Sequence, residues 1–565
     1  MTTEARDRHG GQIVVDQLRL RGVDRVFSVP GESFLAVLDG LVDSGIENVV
    51  ARHEGGAAMM AEADAKLTGR PGVLLVTRGP GATNAAAGLH VARHDSTPLV
   101  AFVGQVPRAH RGRDAFQEVD HAAVFGPLVK HAEEVHDTDR LAEATARAFA
   151  IATAGRPGPV VLALPEDVLS ARATVPDIPP MPPAPPADHA AFAEAALERL
   201  ARAERPLVVI GGPGWSTEAA ARLAELSEAA DLPVAAVFRR QDYMDNRHLG
   251  YCGDLGVGMN PALGRRLAEA DAILALGTRL GDTATNGYAL LDPAHPHPGL
   301  IHVHPDPDET GRVHRPALSC AAPAPAVLKG LARAAAHAPR GSSTRRAAAR
   351  AEYEAWQRPA DSPGALKMER AIAHLSEVLP EDAIVTNGAG NYAAWLHRYF
   401  RFKRFGTQLA PTSGSMGYGL PAAVAAALRH PGREVICLAG DGCLQMTLAE
   451  LSTAAQHGAG IVVLVINNGR YGTIRMHQER TYPGRVSGTD LFLPDIPTLA
   501  RAYGGTGAVV TTDAEFPDAL ARARAAARES RAPAMLELKV DGEALATGQT
   551  LAEARAAGEA ALNRR

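Results

Sequence analysis

Short, wholly apolar runs alternate along this chain with longer stretches whose apolar positions recur at helical spacing. A strand buried on both faces needs such a run, and the amphipathic stretches between them suit helices that cover a parallel sheet. The first part of the chain carries Val26–Pro30 (VFSVP), Gly72–Thr77 (GVLLVT) and Pro98–Gly104 (PLVAFVG). The middle carries Pro206–Gly212 (PLVVIGG), Ala272–Thr278 (AILALGT) and Leu300–His304 (LIHVH). The last part carries Ala383–Gly388 (AIVTNG), Glu434–Gly442 (EVICLAGDG) and Ile461–Asn468 (IVVLVINN). The pattern predicts an α/β protein with three doubly wound parallel-sheet domains.

Two stretches interrupt it. Val175 to Ala187 (VPDIPPMPPAPPA) is dense in proline, which lacks the N–H that helices and central strands need, so an extended connector is expected. From about Ala335 to Gly364 the chain mixes Ala, Arg, Gly and Ser without a strand-like run, which reads as a helix-containing linker. The expected division is an N-terminal domain over 1–187, a central domain over 188–345 and a C-terminal domain over 346–565.

Composition removes several classes of function. At 565 residues the chain is too long for one hydrophobic core. Its 46% apolar and 21% charged content is ordinary for a globular protein, and a net charge of -5 gives no basic surface for nucleic acid. The four cysteines, Cys252, Cys320, Cys437 and Cys443, share no CxxC spacing, so neither a disulfide framework nor a zinc site is expected. A reducing, cytoplasmic location fits that usage. The first residues, MTTEARDRHGGQ, are polar, and no run of about 18 apolar residues occurs, which argues against secretion and membrane spanning.

The chemistry concentrates at strand ends. Gly440-Asp441-Gly442 closes one predicted strand and Asn467-Asn468 closes the next, and ligands on parallel sheets gather at such carboxyl ends. A diphosphate there needs its charge neutralised, and a hard cation held by a few protein oxygens does so. Asp441 offers a carboxylate and Asn468 an amide oxygen, while the glycines let backbone N–H groups approach phosphate oxygens. Alone, a GDG is a tight turn; paired with NN at this spacing it points to a site.

The stretch from Gly440 to Ile474 (GDGCLQMTLAELSTAAQHGAGIVVLVINNGRYGTI) is similar to the diphosphate-binding motif of thiamine diphosphate-dependent enzymes. The resemblance implies a magnesium ion on Asp441, Asn468 and the backbone carbonyl of Arg470. It also implies cofactor contacts from Gly440, Gly442, Cys443, Tyr471, Gly472 and Thr473, and from the Gly390-Asn391 loop. Thr412–Pro421 (TSGSMGYGLP) resembles the segment that bends the cofactor, with Met416 as an apolar wedge and the Gly414 carbonyl and Met416 N–H on the pyrimidine edge. Arg52–Ala58 (RHEGGAA) resembles acetolactate synthase-like enzymes, where Glu54 matches the acid that bonds pyrimidine N1′. A carboxyl there can exchange a proton with the ring and so help form the base that activates the thiazolium. Val29–Glu32 and Thr77–Asn84 match two further cofactor loops, supplying Pro30, Gly31, Thr77, Pro80 and Asn84. Arg78 stands where the family usually has Ser, and Gly55 where it has Gln. Because the family builds its site from two subunits, the resemblance implies at least a homodimer, with a homotetramer expected.

For the substrate, Ala115–Asp120 (AFQEVD) and Lys130-His131 resemble acetolactate synthase segments in which Phe116, Gln117 and Lys130 line the entrance. Ile474 is expected among the substrate residues, as is His477, which replaces a tryptophan that contacts the acceptor in that enzyme. Gly211-Gly212-Pro213-Gly214 and Gly277-Thr278-Arg279 resemble its flavin site, while His304 replaces an acid there, so bound FAD is left open, with any role structural. The implied activity is decarboxylation of a 2-oxo acid followed by carboligation. Simple decarboxylation shares every residue named, and a non-catalytic homologue would be expected to lose Glu54 or Asp441, which are both present. A nicotinamide oxidoreductase lacks its G-x-G-x-x-G opening after the first strand.

Overall fold

The apolar runs fold as inner strands of three six-stranded parallel sheets. The computed structural model describes residues 4–182, 187, 189–336 and 343–564. In the first sheet the strands are β1 (Arg25–Ser28), β2 (Glu47–Val50), β3 (Gly72–Val76), β4 (Leu99–Gln105), β5 (His131–Glu134) and β6 (Pro159–Pro165), in spatial order β2-β1-β3-β4-β6-β5. The second holds β7 (Pro206–Ile210), β8 (Val234–Val237), β9 (Tyr251–Leu255), β10 (Ala272–Leu276), β11 (Leu300–His304) and β12 (Leu318–Ala321), ordered β9-β8-β7-β10-β11-β12. The third holds β13 (Ile384–Asn387), β14 (Gln408–Leu409), β15 (Val435–Gly440), β16 (Val462–Asn467), β17 (Thr506–Val510) and β18 (Ala534–Lys539), ordered β14-β13-β15-β16-β18-β17.

Every run picked out in the sequence is an inner strand, because only a strand covered by helices on both faces must be apolar throughout. Helices bury one stripe against each sheet. Leu18, Leu141 and Phe149 pack on the first, Leu223 and Leu328 on the second, and Leu375, Trp395 and Leu520 on the third.

The expected connectors behave differently. The proline-dense one begins on a short strand, Arg172–Val175, which pairs antiparallel with Arg6–His9, and then has neither helix nor strand through residue 182; residues 183–186 lie outside the described residues. The second contains the expected helix, Thr344–Trp356, with residues 337–342 outside the described residues. That helix is part of the central layer: Arg346, Ala349, Arg350 and Tyr353 are buried, Arg346 pairs with Asp231 at 3.2 Å and Arg350 donates to the Asn246 carbonyl at 2.6 Å. The boundary expected at 345/346 therefore falls inside a helix.

The described chain forms two compact units, one of residues 4–182 with 420–430 and 447–459, the other of the rest. Among the described residues no helix is long and apolar enough to cross a membrane.

Candidate active site

The strand order of the third sheet reverses between β13 and β15, the place where open α/β sheets collect ligands. A cavity there is lined by Gly390 and Asn391 after β13, by Met416, by Gly440, Asp441, Gly442 and Cys443 at the end of β15, and by Asn468, Arg470, Tyr471, Gly472, Thr473 and Ile474 after β16. The Asp441 carboxylate sits between the two strand ends, accepting from Gly442 N at 2.8 Å, Gly469 N at 2.8 Å and Arg470 N at 3.2 Å. Burial pushes its carboxyl above the usual aspartate range, against the pull of those N–H groups. Arg470 N also faces the Asn468 amide oxygen at 3.3 Å.

The Asp441 carboxylate and the Asn468 amide offer hard oxygens of the kind that suits magnesium. The surrounding cradle admits no side chains: a Cβ on Gly442 would lie 2.5 Å from Tyr471 Cε1, and one on Gly440 2.9 Å from Tyr392 Cδ1. The Gly472–Thr481 helix begins at the cavity wall and turns its positive end to it. Asn391 and Thr473 bond each other, N–H to Oγ1 and Oγ1–H to Oδ1, both at 2.9 Å.

In the first unit the strand order reverses between β1 and β3. Glu54 is 8% exposed and opens the Glu54–Thr68 helix, whose N-cap His53 accepts from Gly55 N at 3.0 Å. Asn84 Nδ2 donates to Glu54 Oε2 at 3.0 Å. Thr77 and Gly31 close on each other, since a Cβ on Gly31 would lie 2.4 Å from Thr77 Cβ, and a Cβ on Gly81 would meet Thr77 and Glu54. Pro30 and Pro80 stand exposed on the same two loops. Gly55 has a local reason: a Cβ there would lie 3.0 Å from His53 Nδ1 and 3.1 Å from the Asn84 carbonyl. Arg78 is buried and ion-paired with Glu166 and, at 2.8 Å, with Glu32. Its charge is thus neutralised, and it staples the Gly31 and Thr77 loops together.

Not every expected residue joins these clusters. Phe116 is 74% exposed, with its carbonyl 3.4 Å from Arg78 Nε, and Gln117 packs against Gly79, so both lie beside the Thr77 loop. Lys130 does not: it precedes β5 beside Pro159, at the amino ends of the strands, and its ammonium bonds the Ala154 carbonyl. Gly414 is exposed and lies outside the cavity lining. His477 is exposed one helical turn beyond Ile474 and likewise lines no part of the cavity. In the central sheet, the Gly211–Gly214 turn is tight at Gly212 and open at Gly214, where a Cβ would meet nothing within 4 Å. A Cβ on Gly212 would lie 1.8 Å from the Gly277 carbonyl, and Trp215 and Tyr243 donate to the Gly211 and Gly212 carbonyls. His304 is fully buried, its Nδ1 accepting from Asp306 N at 3.1 Å, and Arg279 is exposed. Two carbonyls of this turn are thus taken up within the chain, and its Gly214 end stays exposed.

Three features escaped the sequence. Glu450, fully buried, accepts from Arg52 N at 3.2 Å, His53 N at 3.0 Å and Thr453 Oγ1 at 2.6 Å, and so fixes the turn that presents Glu54. A Cβ on Gly56 would strike it at 2.3 Å. A buried acid inside the apolar stretch LAELSTAA was the available signal. Tyr392 accepts from Gly388 N at 3.1 Å and donates to Cys443 Sγ at 3.3 Å. Val540, Ala544 and Leu545 close another side of the cavity, with Asn391 Nδ2 donating to the Leu545 carbonyl at 2.9 Å.

Comparison with known proteins agrees with this geometry. The chain matches the thiamine pyrophosphate enzyme N-terminal TPP binding domain over residues 8–124, the central domain over 193–331 and the C-terminal TPP binding domain over 388–538. It is 33% identical to the acetolactate synthase large subunit of Parasynechococcus marenigrum, covering 94% of this chain and 87% of that one. It is 34% identical to the acetolactate synthase of Mycobacterium bovis, covering 91% and 86%. Against the acetolactate synthase isozyme 2 large subunit of Escherichia coli it is 32% identical, covering 91% and 92%. With three matching domains in order, each overlapping one of the three sheets, this chain belongs to the thiamine pyrophosphate enzyme family.

Proposed function

We propose that this enzyme decarboxylates a 2-oxo acid and joins the remaining acyl carbon to an acceptor carbonyl, as an acetolactate synthase-like transferase. The observation that supports this most is the convergence of Gly390, Met416, Asp441, Asn468 and Arg470 on one cavity at the switch point of the third sheet. Thiamine diphosphate supplies, when bound, a nucleophilic carbon for the 2-oxo acid and a cationic ring that accepts the electron pair left by carbon dioxide. Asp441, Asn468 and the Arg470 carbonyl would hold magnesium. The Gly472–Thr481 helix end would take the diphosphate charge. Glu54 would hold and move a proton at its Oε atoms, kept in place by Asn84 and by the Glu450-bound turn. Phe116 and Gln117, beside the Thr77 loop, would line the substrate entrance.

A working form of at least two subunits belongs to the same reading, supported by exposed Met446, Tyr482 and Phe492 on the loops that follow the cavity strands. Simple decarboxylation is the second reading, since it draws on the same cofactor-side residues, Glu54, Asp441 and Asn468. A panel of 2-oxo acids, with carbon dioxide and product identity both measured, tests the proposal. Carbon dioxide release that depends on thiamine diphosphate and magnesium, together with a carbon–carbon ligated product, is expected. Release with only the aldehyde formed selects the second reading, and no release from any 2-oxo acid overturns both.

A further inference from the structure

Four consecutive residues, Arg239-Arg240-Gln241-Asp242, follow β8 of the central sheet and insert into the region of the third sheet. All four are buried. Asp242 Oδ2 accepts three successive backbone N–H groups, from Gly406 at 2.9 Å, Thr407 at 3.0 Å and Gln408 at 3.2 Å. Gln241 donates its N–H to Gln408 Oε1 at 2.8 Å and its side-chain amide to the His397 carbonyl at 2.7 Å. These contacts anchor the segment.

Arg239 does something different. Its guanidinium donates to the Pro411 carbonyl at 2.5 Å and to the Gly388 carbonyl at 2.8 Å, and sits 4.6 Å from the centre of the Phe238 ring. Gly388 leads directly into Ala389, Gly390 and Asn391, and Pro411 opens the turn that ends at Met416; both segments line the cavity. One planar fork therefore spans two walls of the cofactor cavity. Arg239 is also held at φ +62°, a left-handed backbone that side-chain-bearing residues rarely adopt and that persists only where the surroundings fix it. A lysine could not replace the fork, since a point charge cannot meet two divergent carbonyls with the same geometry.

We propose that Arg239 is a positioning residue that sets the spacing between the Gly388–Asn391 and Pro411–Met416 walls, while Gln241 and Asp242 anchor it. The inference rests on the cofactor reading given above, which wild-type binding of thiamine diphosphate tests separately. The experiment compares wild type, R239K and R239M for melting temperature, for the Kd of thiamine diphosphate with magnesium measured on folded protein, and for kcat at saturating cofactor. R239M should bind the cofactor about 10-fold more weakly and lose ~100-fold in kcat, because a displacement of about 1 Å is enough for that loss. R239K should fall between R239M and wild type. A merely structural role would lower the melting temperature and leave Kd and kcat of the folded protein unchanged, and that result overturns the proposal. If R239M does not fold, R239K decides: wild-type Kd and kcat in that variant overturn it, and loss in both supports it.

Discussion

The first and third sheets share one strand order, and each places its reactive side chains where that order reverses, yet the two places are built from different chemistry. At the first, one carboxyl group, Glu54, is held by the neutral amide of Asn84 near hydroxyls and glycines. That arrangement suits the passage of a proton. At the third, backbone N–H groups surround Asp441 and a helix end faces the cavity. That one suits a cation with an anion bound to it. Strand order selects the location; the residues just past the strands decide what it does. The central sheet, with the order β9-β8-β7-β10-β11-β12, brings two glycine turns together at its own reversal, Gly212 against the Gly277 carbonyl.

Breaking either half should give distinguishable losses. Asp441→Ala removes the carboxylate of the metal set, and the expected outcome is an enzyme that retains no thiamine diphosphate after gel filtration. Unchanged cofactor affinity would remove Asp441 from the metal set. Glu54→Gln should keep the fold and most of the cofactor binding while slowing exchange of the cofactor's C2 proton by about 10²–10⁴-fold, since an amide cannot take part in proton transfer. Proton exchange followed by NMR in deuterated buffer measures this, and a wild-type rate would assign the proton transfer to another group.

A smaller loss is expected from Glu450→Gln, which turns an NH2 toward backbone N–H groups that now find an acceptor. Denaturant unfolding should show a loss of about 1–3 kcal/mol, and C2 exchange should slow by less than in Glu54→Gln. Equal stability of the two proteins would mean that the turn is held by other contacts. The smallest effect is reserved for His477→Trp: on pyruvate alone the ratio of acetolactate to acetaldehyde should rise, by ~10-fold or less. An identical product ratio would leave His477 with no part in choosing the reaction.

The inner strands of each sheet and the residues at their ends were readable because both depend on local sequence. β3, β10 and β15 are apolar throughout since neither face meets water, and Asp441 and Asn468 directly follow or end such runs. Flanking strands were harder. His131–Glu134 (HAEE) is only partly buried, β14 has two residues, and Thr506–Val510 (TGAVV) is an edge strand with one buried position. Pro159–Pro165 (PVVLALP), by contrast, is wholly buried and as uniformly apolar as the central strands. What no local pattern could supply is pairing at a distance. Glu450 against the Arg52 turn, Leu545 against Asn391, and Arg239 against two loops join segments whose meeting depends on the finished fold. The same holds for Lys130, whose type and neighbours suited a substrate entrance but which lies at the other end of its strands.

The bond from Arg52 to Glu450 also bears on how the protein is made. Its partners are 398 residues apart in sequence, and the unit that contains the first sheet includes residues 447–459. Synthesis from the amino end delivers Glu54 early, but the carboxylate that locks its turn emerges only after the central sheet and much of the third have been translated. Chains usually fold domain by domain as they leave the ribosome. Here the first unit must wait, its Arg52–His53 N–H groups without their acceptor, until a helix that is encoded far downstream arrives to complete it.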